Sequence, residues 1–195
     1  MNKEDLDLNL IRELIEQQDA EKLKELLSGM HPADIAELCD ELDVEEAQFI
    51  YQQMDNETAA DVLIEMDEDA QKDFLETLPS ETIAKKFVDY MDTDDAVDII
   101  REMDEEKQEE ILSHIEDIEQ AGDIVDLLKY DENTAGGLMG TEMVIVKENW
   151  SMPECLKEMR MQAEEMDEIY YVYVVDDEER LRGVFPVLPL PGKIR

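Results

Sequence analysis

Apolar residues between His31 and Ile115 recur in short, regular bursts. Seven units of about twelve residues begin at His31, Asp43, Asp55, Asp67, Pro79, Asp92 and Asp104. Most open on an acid or another helix-starting residue, and each closes on Leu, Met or Ile. Ile35, Leu38, Cys39 and Leu42 follow i, i+3, i+4, i+7 spacing. So do Ala47, Ile50, Tyr51 and Met54, and Ala96, Ile99, Ile100 and Met103. That spacing marks one face of a helix.

Helices shorter than roughly 12–15 residues are marginal alone in water. Each unit must therefore bury its stripe against the units before and after it. The pattern predicts a mainly α protein, a superhelical stack of short antiparallel helices of the α-solenoid kind. The breaks have their own chemistry. An Asp at a unit start can cap free amides and oppose the helix dipole. Asp43 and Glu46 have capping-box spacing. Pro32 and Pro79 suit the first positions of a helix, where no amide donor is needed.

The flanks differ. Residues 4–17 read as a helix with Leu10, Ile11, Leu14 and Ile15 inward. Asp19 is expected to cap a second helix that Gly29 ends. A less regular unit containing Gly122 follows the repeats. At Tyr130 the helical stripe stops, and YDENTAGGLMG holds the chain's single Gly-Gly pair. Beyond it come a β-branched strand (TEMVIVKEN), a helix opened by Ser151, Pro153 and Glu154, and two strands around an acidic turn (IYYVYVVDDEERLRGV). Pro186, Pro189 and Pro191 in the tail oppose a helix and a central strand alike. The expected organisation is a helical domain over 1–130, a Gly-Gly linker over 131–140, and an incomplete α+β motif over 141–195.

Charge narrows the partners. The net charge of −38 argues against nucleic acid, which is bound through Lys and Arg, and against a bare anionic membrane. Cations or a basic protein surface are the natural partners. The N-terminal segment is not a signal sequence, and no run approaches the ~20 apolar residues of a membrane span. Cys39 and Cys155 lie on apolar helix faces and are expected as buried thiols. His31 and His114 fall at or near helix ends, in structural roles. No nucleophile–base pair, phosphate-cradling loop or metal-hydrolase motif is present, so no enzyme activity is expected.

The repeated units, the start at Met30, His31 and Pro32, the YDENTAGGLM segment and the stretch IYYVYVVDDEERLRGV together resemble the cytosolic part of MgtE-type magnesium transporters. The resemblance runs to about Val184. The helical half taken alone also resembles domains of the flagellar switch protein FliG. The MgtE resemblance implies a helical superhelix followed by a CBS motif, and a Mg2+ sensor on the cytoplasmic face of the membrane. In that family Mg2+ bound between the helical and CBS domains favours a closed, dimeric pore. The chain departs from the pattern after RLRGV, where FPVLPLPGKIR replaces the expected strand end and helix. With the second CBS motif, connecting helix and pore missing, this chain is not expected to transport ions by itself. Those missing parts are its expected partners.

The same resemblance points to metal-contacting residues. Mg2+ takes hard oxygen ligands and usually keeps several waters. In DTDDAVDII, Asp94 and Asp98 stand at i, i+4, and Asp95 and Asp98 at i, i+3, which crowds one helix face. Asp61 is a further candidate, and Gly137 matches a position whose backbone carbonyl can face a cation. Against this stands a metal-free reading, because acids in a first turn are favoured by the helix dipole. Tyr171 matches a position near the adenine-nucleotide pocket of CBS pairs, but reads more simply as a strand-face aromatic. The alternative function is an acidic helical-repeat module that binds a basic partner without metal.

Overall fold

The computed structural model describes residues 8–163, 166 and 169–187. The chain divides into two compact units, with the break between Met139 and Gly140.

The first unit is helical throughout. Its elements are α1 (Leu8–Glu16), α2 (Ala20–Leu27), α3 (Pro32–Asp40), α4 (Val44–Tyr51), α5 (Asn56–Ile64), α6 (Glu68–Glu76) and α7 (Ser80–Lys86). A 3-10 turn (Val88–Tyr90) precedes α8 (Thr93–Arg101), α9 (Glu105–His114) and α10 (Ile118–Leu127). All seven expected unit starts are helix N-caps. The carboxylates of Asp43 and Asp55 each accept from the amide three residues on, at 2.9 Å. Asp104 does the same at 2.9 Å, and Asp67 accepts from Asp69 N at 3.1 Å. Glu46 completes the box by accepting from Asp43 N at 3.2 Å. The His31 ring accepts from Ala33 N at 3.3 Å. Pro32 is the first residue of α3, and Pro79 sits one place earlier, as the cap of α7. Each side-chain cap contributes about 1 kcal/mol, enough to fix where a short helix starts but not to hold it folded.

Packing supplies the rest, and it differs from the expectation that each unit leans on its immediate neighbours. The main partner of a helix is the one two places along: α3 with α5, α4 with α6, α5 with α7, α7 with α9, and α8 with α10. Short connections leave consecutive helices meeting mainly at their ends, so the long flank contact goes to the second neighbour. Polar side chains reach further still, from α7 to α4, from α9 to α6 and from α10 to the 3-10 turn. Lys86 Nζ donates to Tyr51 O and Lys107 Nζ to Leu75 O, both at 2.7 Å. Gln120 Nε2 donates to Val88 O and Met91 O, both at 3.1 Å. These donors meet carbonyls at or near helix ends, which lack partners within their own helix.

The core runs the length of the stack, from Ile11 to Leu127. At its centre Tyr51, Phe74 and Phe87 form a mutual cluster with ring centroids 4.5, 5.7 and 6.1 Å apart. Met66 and Met103 are core fillers as expected, and Cys39 is buried. Burial pushes the Cys39 thiol up to about 12, with Asp40 adding to the effect. Leu10 corrects the inward set for α1. It is 45% exposed, while Ile11 and Leu14 are buried. The stripe of α1 runs through Leu8, Ile11 and Ile15, and Leu10 lies beyond its edge, on the outer side of Leu14.

The segment over 131–139 belongs to the first unit. Thr134 organises it. Its amide and Oγ1 donate to Asp131 O at 3.0 and 2.7 Å, and its carbonyl accepts from Gly137 N at 3.0 Å and Leu138 N at 3.1 Å. Both glycines are required by close approach. A Cβ on Gly136 would stand 2.5 Å from the Tyr130 ring, and one on Gly137 would strike the carbonyls of Asp131 and Glu132.

The second unit has the expected β-α-β-β order: β1 (Val144–Lys147), α11 (Met152–Gln162), β2 (Tyr171–Val175) and β3 (Leu181–Pro186). β2 is central, parallel to β1 and antiparallel to β3. Val144, Val146 and Val172 face α11, with Cys155 and Met159 against them. Cys155 is only half-buried, which corrects the expectation of two buried thiols. Glu154 accepts from both Ser151 N and Ser151 Oγ, at 2.8 and 2.7 Å. Asp176 holds the turn: its carboxylate accepts from the amides of Glu178 and Arg180 and from Arg180 Nε, at 3.0–3.1 Å. The Arg180 amide leads in keeping that carboxyl below its usual 3.8. Pro186 ends an outer strand, where no ladder donor is needed, and Pro189 and Pro191 lie outside the described residues.

Three outcomes are expected. Phe74→Ala should cost about 3–5 kcal/mol in denaturant unfolding, the usual range for a core aromatic. Tyr51→Phe should cost less than about 1 kcal/mol, because its hydroxyl meets only the weakly accepting Met66 sulfur at 3.0 Å. With a thiol reagent on the native protein, Cys155 should label and Cys39 should label only on unfolding.

Candidate functional site

α8 carries most of the candidate ligands. Its sequence folds as a helix because Ala96, Val97, Ile99 and Ile100 bury against the stack, leaving Asp94, Asp95 and Asp98 off the core side. Asp94 and Asp95 are half-buried in the first turn, and Asp98 is exposed one turn on. Their charges are not independent. Burial of its flank raises the Asp98 carboxyl above its usual 3.8; Arg101 opposes the rise, and Asp94 and Glu132 add to it. Asp98 in its charged form is thus disfavoured by surroundings that a nearby cation would reverse.

Two residues missed from the sequence belong to this face. Asp92 opens its unit like the other aspartates, yet its side chain makes no capping hydrogen bond to α8. Instead it brings a carboxylate oxygen within 4.8 Å of one from Asp94. Its place at a unit start disguised it as another cap. Glu132 acts on Asp98 from the loop after α10, a contact across the stack that no local spacing reveals.

The other candidates lie elsewhere. Asp61 is half-buried on α5, which packs on α3 and α7, whereas α8 packs on α9 and α10. Gly137 is buried in the loop, its amide held by Thr134. Tyr171 is 52% exposed on β2, on the face turned away from α11. His31 caps α3 and His114 ends α9. No described helix is long and apolar enough to cross a membrane.

The donor set suits a hard divalent cation. Mg2+ holds oxygens at about 2.0–2.1 Å, so ligands across an octahedron stand about 4.2 Å apart. The Asp92 and Asp94 carboxylates, within 4.8 Å of each other, are near enough to share one such ion. Carboxylates without a nearby thiol or imidazole favour Mg2+ or Ca2+ over softer metals.

Comparison with known proteins agrees with this chemistry. The family model of the MgtE intracellular N domain matches residues 30–133. A magnesium transporter MgtE of Enterococcus faecalis is 42% identical over 72 residues, which is 37% of this chain and 16% of that protein. The MgtE of Thermus thermophilus is 44% identical over 64 residues, 33% of this chain and 14% of its own length. The matched stretches thus span less than one fifth of those relatives. Two solved structures align over most of the chain. The soluble part of a magnesium transporter covers 92% of it at 31% identity, with a TM-score of 0.78 and 70% of that chain matched. The cytosolic domain of the Mg2+ channel MgtE in complex with ATP covers 93% at 30% identity, with a TM-score of 0.82 and 73% matched. Each of these relatives is named as a magnesium transporter or channel, not as an enzyme. With its helical unit matched by the family model from Met30 to Asn133, the chain belongs to the MgtE intracellular N domain family.

Proposed function

We propose that the chain is a cytosolic Mg2+-sensing regulatory module of an MgtE-type magnesium transporter, and that the rest of the transporter is its partner. The observation that carries this reading is the crowding of carboxylates on α8, where a partly shielded flank, Asp94 and Glu132 together raise the Asp98 carboxyl against the opposing pull of Arg101. Asp94, Asp95 and Asp98 are the proposed metal-contacting residues, with Asp92 added from the geometry. Asp61 and the Gly137 carbonyl are proposed as further contacts. One or two carboxylates per ion, with retained waters, suit a weak sensor rather than a permanent metal centre. High internal Mg2+ neutralises this face and favours the closed pore. Low Mg2+ restores the repulsion and favours opening.

Thermal melts in MgCl2, in NaCl at matched ionic strength, and in EDTA test the reading. At tenfold excess over its Kd, Mg2+ should add about 1.4 kcal/mol, or a few °C in Tm. Replacing Asp94, Asp95 and Asp98 together with Asn should raise the Tm in EDTA and remove most of the Mg2+ increment. An equal rise with Na+ means screening alone and sinks the metal reading in favour of a metal-free acidic interaction module. A loss of Tm in EDTA for the triple variant would identify these acids as dipole-stabilising instead.

Stability should also depend on pH in a defined direction. Burial, first among the causes, raises Asp40, Asp89 and Asp98 above 3.8. Such groups bind protons better folded than unfolded, so their contribution is present at low pH and lost as pH climbs through the raised values. Hydrogen-bonded Asp55 and Asp176 are lowered, and their contribution is lost only as pH falls through values under 3.8. The Tm should therefore rise as pH falls from neutrality through the raised values and fall again as pH drops below 3.8 through the lowered ones. In Asp98→Asn the rise should be smaller.

A further inference from the structure

Arg101 closes α8, and its guanidinium is incompletely partnered. Nε and Nη2 are both shielded from solvent and have no hydrogen-bond partner among the described residues. Nη1 donates to the Tyr130 carbonyl at 3.3 Å, a long bond for a charged donor. Asp98 lies one turn back on the same side of the helix, and its charge and that of Arg101 attract. Shielded donors without acceptors are costly. The guanidinium thus bonds the Tyr130 carbonyl through one nitrogen, while the Asp98 charge, one turn back on α8, attracts it.

Tyr130 is also where the loop over 131–139 begins. Its ring covers Gly136, and the turns fixed by Thr134 follow directly. A pull on the Tyr130 carbonyl therefore acts on a compact loop rather than on a slack strand of chain.

We infer that Arg101 is a positioning residue that couples the acidic face of α8 to the Tyr130–Met139 loop. The trigger rests on the Mg2+ reading above. A divalent cation at Asp98 takes that carboxylate and repels the guanidinium, so Arg101 donates more fully to Tyr130 O and the loop tightens. With Asp98 bare, the guanidinium is drawn back along α8 and the loop loosens.

Hydrogen exchange of peptides covering 93–101 and 130–139, in EDTA and in saturating Mg2+, tests this. In the wild type, Mg2+ should slow exchange in both segments. Arg101→Met, which keeps the aliphatic bulk, should speed loop exchange in saturating Mg2+ by on the order of tenfold, the low end for one hydrogen bond to a charged group, and by less in EDTA, where the bond to Tyr130 O is long. In that variant Mg2+ should still protect α8 but no longer the loop. Arg101→Lys should recover part of the coupling, and is the variant to read if Arg101→Met also loosens peptides from α4 to α6. Unchanged loop exchange in saturating Mg2+, or equal Mg2+ protection of the loop with and without Arg101, overturns the coupling. Absence of Mg2+ protection at α8 in the wild type overturns the metal reading and the coupling with it. The EDTA arm still reports separately whether Arg101 holds the loop.

Discussion

A helix of eight or nine residues makes too few internal hydrogen bonds to persist unless something lies across its apolar flank. In this stack the second neighbour lies there. Ile35 and Ile50, Leu63 and Leu75, Ile83 and Ile100 are fully buried or nearly so because each helix is covered by others along its length. A solenoid built this way gains cohesion from overlap, since removing one helix uncovers a helix on either side of it. In the Tyr51–Phe74–Phe87 cluster α4, α6 and the end of α7 share side chains. Lys86 and Lys107 extend the overlap by reaching carbonyls three helices back, on α4 and α6.

This constraint explains why the acids collect where they do. Short helices have many ends, and every start offers unpaired amides that Asp satisfies well. Seven repeats thus bring a row of carboxylates with them, before any demand for metal. A large negative charge follows from the architecture. What distinguishes one acid from another is whether its charge is already met by backbone donors.

Much of this was legible in the sequence because it is local. Caps depend on residues within one turn, so Asp43, Asp55, Asp67 and Asp104 announced themselves by position. The β-α-β-β order followed from β-branched runs and the Ser151–Glu154 spacing. The second-neighbour packing was not legible, because periodicity gives a helix its buried face but not what covers it. Leu10 was misassigned for a related reason: a cluster of four apolar residues on α1 is wider than the stripe the stack can cover. Asp92, Glu132 and Arg101 lay beyond local reading. Each matters through a group that is distant in sequence or through a cap bond it does not make. The glycines of YDENTAGG spoke of an irregular segment. Only the Tyr130 ring and the Asp131 and Glu132 carbonyls show that they are required by crowding.

The difference among the acids then selects a site. A cation that recruited Asp55 would have to draw it from Thr58 N, to which it is bonded at 2.9 Å, and sacrifice about 1 kcal/mol of helix capping. That bond also lowers the Asp55 carboxyl, so its charge is already stabilised. Asp98 is in the opposite condition, raised by burial and by its acidic neighbours. Asp92 has no capping bond to α8 to surrender. A weakly held divalent ion gains most where it relieves repulsion and breaks no cap. On that ground the proposed cation contacts are placed on the α8 face, with Arg101 at its far end as the proposed counter-charge.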